Sequence, residues 1–153
     1  VNCDGTDMEL YDLLADPYET DNIVEKHKEL ADKFYQELLC GNRITYICKN
    51  GDEFIGEISL VKDMSDFDYT IPNQRIYVSR LIVKSECRRR GIGKMLVAYA
   101  TDKAKELGYK EMSIGVDLDN YPALKLYIDA GFDKVIYIGE DEQGQYVKLL
   151  KAI

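Results

Sequence analysis

The sequence predicts an α/β or α+β fold, in which helices and strands alternate around one mixed β-sheet. Three observations predict it. Apolar residues recur at helical spacing within the long polar segment 21–39. Short apolar runs bounded by turn residues are typical of strands. Single glycines follow the predicted helices, where helices commonly end. After a first strand that the N-terminus truncates, the predicted order is α-α-β-β-β-α-β-α-β-β.

The first part of the chain is predicted to be helical. A short helix through Leu14 begins at Thr6 or Asp7, since both residue types cap helix N-termini. The amphipathic segment 21–39 forms the second helix, and Gly41 is its predicted terminator.

The middle of the chain is predicted to form a hairpin and a central strand. Segments 44–48 and 53–60 are strands, and the Asn-Gly pair at 50–51 is a strong signal for a two-residue turn. The polar segment 62–73 is a predicted loop. Segment 76–83 is apolar almost throughout, which favours a strand buried inside the sheet.

The remainder is predicted to hold two helices and three strands. One helix covers 91–107 and precedes Gly108; the other covers 121–130, with Asn120 as its cap and Gly131 as its terminator. The predicted strands are 111–117, 135–138 and 146–150.

Composition limits the class of protein. The chain has 153 residues, of which 46% are hydrophobic and 31% charged. These values are typical of a soluble protein, and we expect a single domain over residues 1–153. No apolar run approaches the roughly 20 residues that span a bilayer. A net charge of −8 argues against nucleic-acid binding. We therefore expect a cytoplasmic protein with neither nucleic acid nor membrane as a partner.

The sequence contains few cysteines and histidines, the residues that most often bind zinc. The four cysteines are Cys3, Cys40, Cys48 and Cys87, none forms a C-x-x-C pair, and His27 is the only histidine. This pattern predicts no metal site and no disulfide framework. Free thiols in a reducing compartment are the simplest interpretation.

A basic, glycine-bearing turn stands between the central strand and the next helix. It reads Arg-Arg-Arg-Gly-Ile-Gly-Lys over residues 88–94. The first amides of a helix lack partners within the helix, and the helix dipole favours negative charge there. Glycines let a ligand approach the backbone closely. The turn therefore predicts a polyanion site; a solvated basic turn before a surface helix is the alternative.

Segment 120–132 carries a second pattern, Asn-x-x-Ala-x-x-Leu-Tyr-x-x-x-Gly-Phe. Taken alone, it describes a capped amphipathic helix. It also resembles a signature of the GNAT superfamily of acyl-CoA-dependent N-acetyltransferases. Upstream, strand residues 81–83 followed by Arg88-x-x-Gly91-x-Gly93 match the pyrophosphate-loop motif of that family. The resemblance covers about residues 75–138. It implies the GNAT fold: a mixed central sheet of six to seven strands, about four flanking helices, and splayed central strands.

The resemblance also implies which residues bind acetyl-CoA. The loop cradles the pyrophosphate, and the backbone of the central strand pairs with the pantetheine arm and polarises the thioester carbonyl. Asn120 contacts the arm, and Tyr127 lies near the sulfur as the general acid. The implied cofactor-binding residues are Leu81, Ile82, Val83, Arg88, Arg89, Arg90, Gly91, Ile92, Gly93, Lys94, Asn120 and Tyr127.

The general base departs from the family pattern. Only about one part in two thousand of an alkylamine is neutral at pH 7, so a base must remove its proton. Many family members have a glutamate two residues before the position of Leu81, where this chain has Ser79. Glu57 on the neighbouring strand is the substitute, ahead of Asp117 and Tyr77.

Two polar features bear on the acceptor. Arg80 either faces the substrate groove and favours an acidic substrate group or forms a surface ion pair. The acidic loop either lines a site for a cationic amine or is merely solvated. Its residues in question are Asp63, Asp66, Asp68 and Tyr69.

These observations favour an N-acetyltransferase that moves an acetyl group from acetyl-CoA to a primary amine of a small molecule or peptide. The amine attacks directly in a ternary complex, with acetyl-CoA as co-substrate and no metal. The alternative is an acyl-CoA-binding sensor or regulatory module of the same fold without transferase activity; a third is a purely structural interaction domain. Dimers are frequent in the family, so a homodimer is a further expectation.

Overall fold

The computed structural model describes residues 28–142 and 144–153. The predicted helix through Leu14, the truncated first strand and the beginning of the helix at 21–39 lie outside these ranges. The chain divides into two compact units, Val1–Arg43 and Ile44–Ile153. The single domain over 1–153 stays a prediction.

Three α-helices and six strands lie in the described ranges, together with a short 3₁₀ helix that the sequence did not predict. They are α1 (Lys28–Leu39), β1 (Arg43–Asn50), β2 (Glu53–Val61), β3 (Arg75–Val83), the 3₁₀ helix Ser85–Cys87, α2 (Ile92–Glu106), β4 (Glu111–Asp117), α3 (Tyr121–Asp129), β5 (Lys134–Asp141) and β6 (Gly144–Ala152).

The first unit contains α1, and the glycine after it has the predicted role. Gly41 has a φ of 71°, the left-handed conformation that commonly follows the last helical turn. Beyond it, Arg43 forms an ion pair with Glu37 at 2.7 Å and stacks over the ring of Phe34. The end of α1 is thereby tied to the residue that opens β1.

The strands form one six-stranded mixed sheet in the order β1-β2-β3-β4-β6-β5. The β3–β4 pair is parallel, whereas β2–β3, β4–β6 and β5–β6 are antiparallel. The central position predicted for 76–83 is confirmed, because β3 lies third in this order. The six strands also fall within the predicted range of six to seven.

Helices α2 and α3 cover one side of the sheet, here called the helix face. Ile76 and Val78 of β3, like Met112 and Ile114 of β4, are buried there. They belong to the same hydrophobic cluster as α2 residues such as Ala100, which has no exposed surface. Alternation of side chains along each strand places the intervening residues on the other side, here called the opposite face.

Residues 62–74 run along the opposite face without regular structure, which confirms the predicted loop. Polar contacts nevertheless fix their path. The Ser113 hydroxyl donates to the carbonyl of Tyr69. Arg75 donates from Nη1 to the carbonyls of Phe67, at 3.2 Å, and Asp68, at 3.0 Å. The loop is therefore bound to β3 and β4 through its own backbone.

The structure differs from the sequence prediction in where several elements end. The β1–β2 turn consists of residues 51–52, one position later than predicted, and Gly51 there has a φ of 61°. Strands β1, β5 and β6 extend by several residues beyond their apolar centres, because pairing with a neighbouring strand continues through polar positions. The predicted strand 111–117 is confirmed with the same ends.

Candidate active site

The central strands β3 and β4 separate part of the way along their length. Their pairing ends at Val78 and Ile114, although β3 continues to Val83 and β4 to Asp117. Throughout this stretch β3 stays paired with β2, and β4 with β6. A wedge-shaped gap therefore opens inside the sheet, with its vertex at the Val78–Ile114 pair. This confirms the predicted splay.

A β-bulge stands at the vertex. Ser59 pairs with Arg80 and Leu60 with Val78, so Ser79 is the extra residue on β3. A bulge bends its strand and increases the local twist. It therefore accounts for the departure of β3 from β4 immediately beyond Val78. The position at which the sequence lacks the family's glutamate is the first residue of the gap.

Beyond the bulge, the backbone amides and carbonyls of β3 face β2 and the gap alternately. The amide of Lys84 donates to the carbonyl of Ile55 on β2 at 2.8 Å. Successive residues of a strand direct their backbone groups to alternate sides, so Ile82 also faces β2, whereas Leu81 and Val83 face the gap. The carbonyl of Val83 accepts a hydrogen bond from Nε of Arg88 at 3.0 Å.

The basic loop leads from the open end of the gap into α2. Arg89 and Gly91 have φ values of 58° and 83°, and Gly91 is the residue immediately before the helix. The first amide to donate within the helix is that of Met95, which donates to the carbonyl of Gly91 at 3.0 Å. The amides of residues 92–94 precede it, so this turn presents three backbone donors at the positive end of the helix dipole.

Gly93 lets the start of α2 lie against the gap. A Cβ atom at this position would stand 3.2 Å from Cδ2 of Leu126 on α3. It would also stand 3.9 Å from side-chain atoms of Leu81 and Val83. The donors of the loop therefore lie on the helix face, between α2, α3 and the β3 side of the gap.

Asn120 and Tyr127 lie at the start and near the end of α3. The Oδ1 atom of Asn120 accepts a hydrogen bond from the amide of Ala123 at 3.2 Å, which confirms the predicted cap. Tyr127 is 7% exposed and packs edge-on against Phe132, with ring centroids 5.9 Å apart. The helix ends shortly after it, and Gly131 has a φ of 92°.

Burial of Tyr127 affects the pKa of its phenol. Desolvation, reinforced by Tyr77, raises the pKa of the phenol well above its ordinary value. Within the described part of the chain, every buried side-chain nitrogen or oxygen has a hydrogen-bond partner. A phenol that burial keeps neutral can donate a proton.

The candidate bases lie on the opposite face. Glu57 forms an ion pair with Arg80, with Oε1 2.9 Å from Nε, and their side chains are 19% and 33% exposed. Asp117 is exposed at the end of β4, next to Tyr146 on β6. Tyr77 packs against Tyr69 below the vertex, with centroids 4.3 Å apart. The ion pair foreseen for Arg80 is present, and its partner is the predicted base.

Sequence reasoning missed Lys148, whose side chain is only 7% exposed. Its Nζ atom lies 2.6 Å from Oδ2 of Asp66 and 3.2 Å from Oδ2 of Asp68. It also stands 4.5 Å and 4.6 Å from the ring centroids of Tyr69 and Tyr137. Burial opposes the charge of this lysine, but the two carboxylates outweigh it and raise its pKa.

This lysine changes the interpretation of the acidic loop. Asp66 and Asp68, considered above for a cationic amine, are bound by a cation from the protein itself. The signal was a single lysine inside the otherwise apolar strand 146–150. A buried lysine needs anionic partners, and the loop supplies them.

Residues 28–142 and 144–153 contain no group of three or more His, Cys, Asp or Glu side chains that is arranged to hold a metal ion. No helix there has the length and apolar character needed to cross a membrane.

Residues 8–132 match the sequence model of the Acetyltransferase (GNAT) family. Among individual proteins, an uncharacterized N-acetyltransferase of Bacillus subtilis (strain 168), YvbK, is 33% identical over 127 residues, 83% of this chain and 69% of that protein. An uncharacterized N-acetyltransferase of Lactobacillus delbrueckii subsp. lactis is 26% identical over 152 residues, 93% of this chain and 87% of that protein.

Solved structures share the fold. A Bacillus subtilis acetyltransferase in complex with CoA aligns with a TM-score of 0.69 and 24% identity, covering 96% of this chain and 95% of that one. A GNAT family acetyltransferase from Elizabethkingia anophelis with acetyl-CoA bound aligns with a TM-score of 0.68 and 23% identity, covering 97% and 93%. At these identities the likeness establishes a common architecture.

Proposed function

This chain belongs to the acetyltransferase (GNAT) family, and on that basis we propose that it transfers the acetyl group of acetyl-CoA to a primary amine of a small molecule or peptide. The amine attacks directly within a ternary complex. The observation that carries the proposal is the gap between β3 and β4, which has the helix N-terminus at its open end.

In this proposal the pyrophosphate of acetyl-CoA lies at the start of α2. The amides of Ile92, Gly93 and Lys94 donate to its oxygens, and Gly91 lets it approach the backbone. The side chains of Arg88, Arg89, Arg90 and Lys94 add positive charge. Since Arg88 already donates from Nε to Val83, its terminal nitrogens are the ones that contact phosphate.

The pantetheine arm then runs down the gap as a substitute strand. Backbone groups of Leu81 and Val83 pair with its amides, and Ile82 between them holds this edge of β3 against β2. Asn120 contacts the arm from α3. The thioester end of the arm then points toward the vertex, and a backbone amide of β3 donates to its carbonyl oxygen.

Acetyl transfer forms one bond and breaks one. The amine nitrogen attacks the thioester carbon, and the negative charge that develops on oxygen is stabilised by the β3 amide. The carbon–sulfur bond breaks with its electron pair on sulfur, and Tyr127 donates its proton to the departing thiolate. The amine loses a proton to the base, and the phenolate recovers one from solvent.

Glu57 is the proposed base, acting directly or through water. It lies on the opposite face, which the amine must approach because α2, α3 and the cofactor occupy the helix face. Ser79 stands where many relatives have a glutamate and cannot take that role. Asp117 and Tyr77 are the other candidates on this face.

The proposal extends to the setting of the reaction. We place it in the cytoplasm, with acetyl-CoA and an amine as the partners, without nucleic acid or a membrane. Cys40, Cys48 and Cys87 are free thiols, which suits a reducing compartment. A homodimer is part of the same proposal by analogy with the family.

One observation favours a second candidate, an acyl-CoA-binding sensor module without transferase activity. The family's base is replaced by Ser79, and the carboxylate proposed in its place is bound by Arg80. A chain without a competent base can bind acetyl-CoA and leave the amine protonated.

A paired experiment separates the two candidates. Acetyl-CoA binding is measured by calorimetry, and thiol release is followed over a panel of amines, amino acids and peptides. Binding with amine-dependent thiol release supports the transferase. Binding without release against every amine supports the sensor module. Absence of acetyl-CoA binding contradicts both and leaves a structural interaction domain.

A further inference from the structure

The side chain of Tyr69 runs along β4 toward the vertex of the gap. Its backbone carbonyl accepts from the Ser113 hydroxyl, and Ser113 lies in the paired part of β4. Its phenol oxygen lies over Gly115, where an added Cβ atom would collide with it. Gly115 is the first residue of β4 beyond the last β3–β4 pair. The hydroxyl of Tyr69 therefore stands where the two strands part.

Several contacts hold Tyr69 in this place. Its ring packs against Tyr77 of β3, with centroids 4.3 Å apart, and lies 4.5 Å from the Nζ atom of Lys148 on β6. Lys148 also binds Asp66 and Asp68, which precede Tyr69 in the loop. The ring thus contacts residues of β3, β4 and β6 together.

In the proposed complex, the acyl group of the cofactor extends toward the Tyr69 side chain. With the pyrophosphate at the start of α2 and the pantetheine arm paired with Val83 and Leu81, the thioester end of the arm points at the vertex. Any carbon beyond the carbonyl extends further in the same direction, toward Gly115 and the Tyr69 hydroxyl. Burial raises the pKa of this phenol, which keeps its oxygen neutral.

We infer that Tyr69, positioned by Lys148, is a specificity-determining residue that limits the acyl group to the size of acetyl. The inference rests on the proposed function, because it takes the gap as the acyl-CoA site. One methylene too many in a closed pocket changes discrimination by about 10-fold to 200-fold. The wild type should therefore bind butyryl-CoA at least about tenfold more weakly than acetyl-CoA, with propionyl-CoA between them.

The experiment measures the dissociation constants of acetyl-, propionyl- and butyryl-CoA by calorimetry, without an acceptor. The variant is Tyr69→Ala. The matched control is Tyr137→Ala, which removes the other ring beside Lys148 but lies on β5, separated from β4 by β6. We expect the ratio of the butyryl-CoA dissociation constant to the acetyl-CoA dissociation constant to fall at least about fivefold in Tyr69→Ala. In the control this ratio should stay within twofold of wild type.

Two more variants keep the inference testable if Tyr69→Ala does not fold. Tyr69→Phe removes only the phenol oxygen and should improve propionyl-CoA binding relative to acetyl-CoA. Lys148→Met releases the loop and should lower the butyryl-to-acetyl ratio without touching the gap. Two results would overturn the inference. One is that Tyr69→Phe leaves the propionyl-to-acetyl ratio of dissociation constants unchanged and Lys148→Met leaves the butyryl-to-acetyl ratio unchanged, although both variants fold. The other is a wild type that binds butyryl-CoA as tightly as acetyl-CoA.

Failure of this inference is distinguishable from failure of the proposed function. Thiol release with an amine but an unchanged ratio in the Tyr69 variants supports the transferase and refutes the acyl-size limit. A ratio that falls as expected without thiol release against any amine supports the limit and refutes the transferase.

Discussion

Nε of Arg80 lies 2.9 Å from Oε1 of Glu57, and the pair stands beside the gap on the face opposite the helices. A carboxylate held by a guanidinium is fixed in orientation but must share its oxygen to accept a proton. The pair joins β2 to β3, and it bears on whether Glu57 can act as the proposed base.

We expect Glu57→Gln to lower kcat about 100-fold, since an amide cannot accept the amine's proton. The acidic limb of the pH profile of kcat should also shift or disappear. The measurement is steady-state thiol release from pH 5 to 9 with saturating acetyl-CoA. Arg80→Met serves as the matched control because it removes the guanidinium and keeps the carboxylate. An acidic limb in Glu57→Gln identical to that of wild type would remove Glu57 from consideration.

Tyr127→Phe should lower kcat about 100-fold and leave the dissociation constant of acetyl-CoA within twofold of wild type. In the proposed mechanism the phenol acts only when the thiolate departs, so its loss should affect turnover and not binding. Because burial raises the pKa of Tyr127, the phenol keeps its proton to higher pH than a free tyrosine. Its ionisation should therefore not limit kcat below about pH 10.

The control for this change is Tyr99→Phe, which alters a half-exposed tyrosine on α2. It should leave kcat unchanged. Turnover of Tyr127→Phe within twofold of wild type on a competent amine would refute the general-acid role.

Gly91→Ala should weaken acetyl-CoA binding several-fold, because Gly91 has a φ of 83° immediately before α2. A left-handed alanine costs about 1–2 kcal/mol, and relief of that strain moves the loop amides. Gly51→Ala is the matched control: its φ is 61°, it lies in the β1–β2 turn, and neither position has an atom that would contact the new Cβ within 4 Å. Both variants should lose similar stability in urea unfolding. Equal acetyl-CoA affinity in the two variants would argue against the loop as the pyrophosphate site.

Lys148→Met should lower the free energy of unfolding by about 1–3 kcal/mol, because it leaves two carboxylates without their cation. The value lies below that of a fully buried pair since Asp66 and Asp68 are 38% and 43% exposed. Lys125→Met removes an ion pair of the surface of α3 and should change stability by about 0.5 kcal/mol or less. Urea unfolding at pH 7 measures both, and equal losses would contradict a structural role for Lys148.

The loss in Lys148→Met should also depend on pH. Burial works to raise the pKa of Asp66, but its hydrogen bonds with Lys148 and the backbone outweigh burial and hold the pKa below its ordinary value. A carboxyl with a lowered pKa stabilises the fold above about pH 4 and loses that contribution as pH falls. The difference between wild type and Lys148→Met should therefore be large at pH 7 and shrink toward pH 3. A difference independent of pH would contradict this.

Local patterns explain why much of the fold could be predicted. The strand 111–117 and the cap at Asn120 depend on residues adjacent in sequence, and the structure has them as predicted. The ends of β1, β5 and β6 depend instead on which strand lies alongside, which local patterns do not contain. The turn at 50–51 shifted by one residue for the same reason.

The same distinction between local and long-range information applies to the candidate site. The loop at 88–94 and its placement before α2 follow from glycines and charges close in sequence. Lys148 and its carboxylates are separated by about 80 residues, and neither partner alone predicts the other. The contact of Tyr69 with Gly115 likewise becomes visible only when β4 and the loop are in place.

The bulge at Ser79 has a consequence for hydrogen exchange. Beyond it, the amides of Leu81 and Val83 face the gap, while that of Ile82 faces β2. In the free protein, deuterium should enter at Leu81 and Val83 far faster than at Ile82, although all three lie in the third strand of a six-stranded sheet. Addition of acetyl-CoA should slow exchange at the two fast amides and leave Ile82 unchanged, so three neighbouring amides report occupancy of the gap.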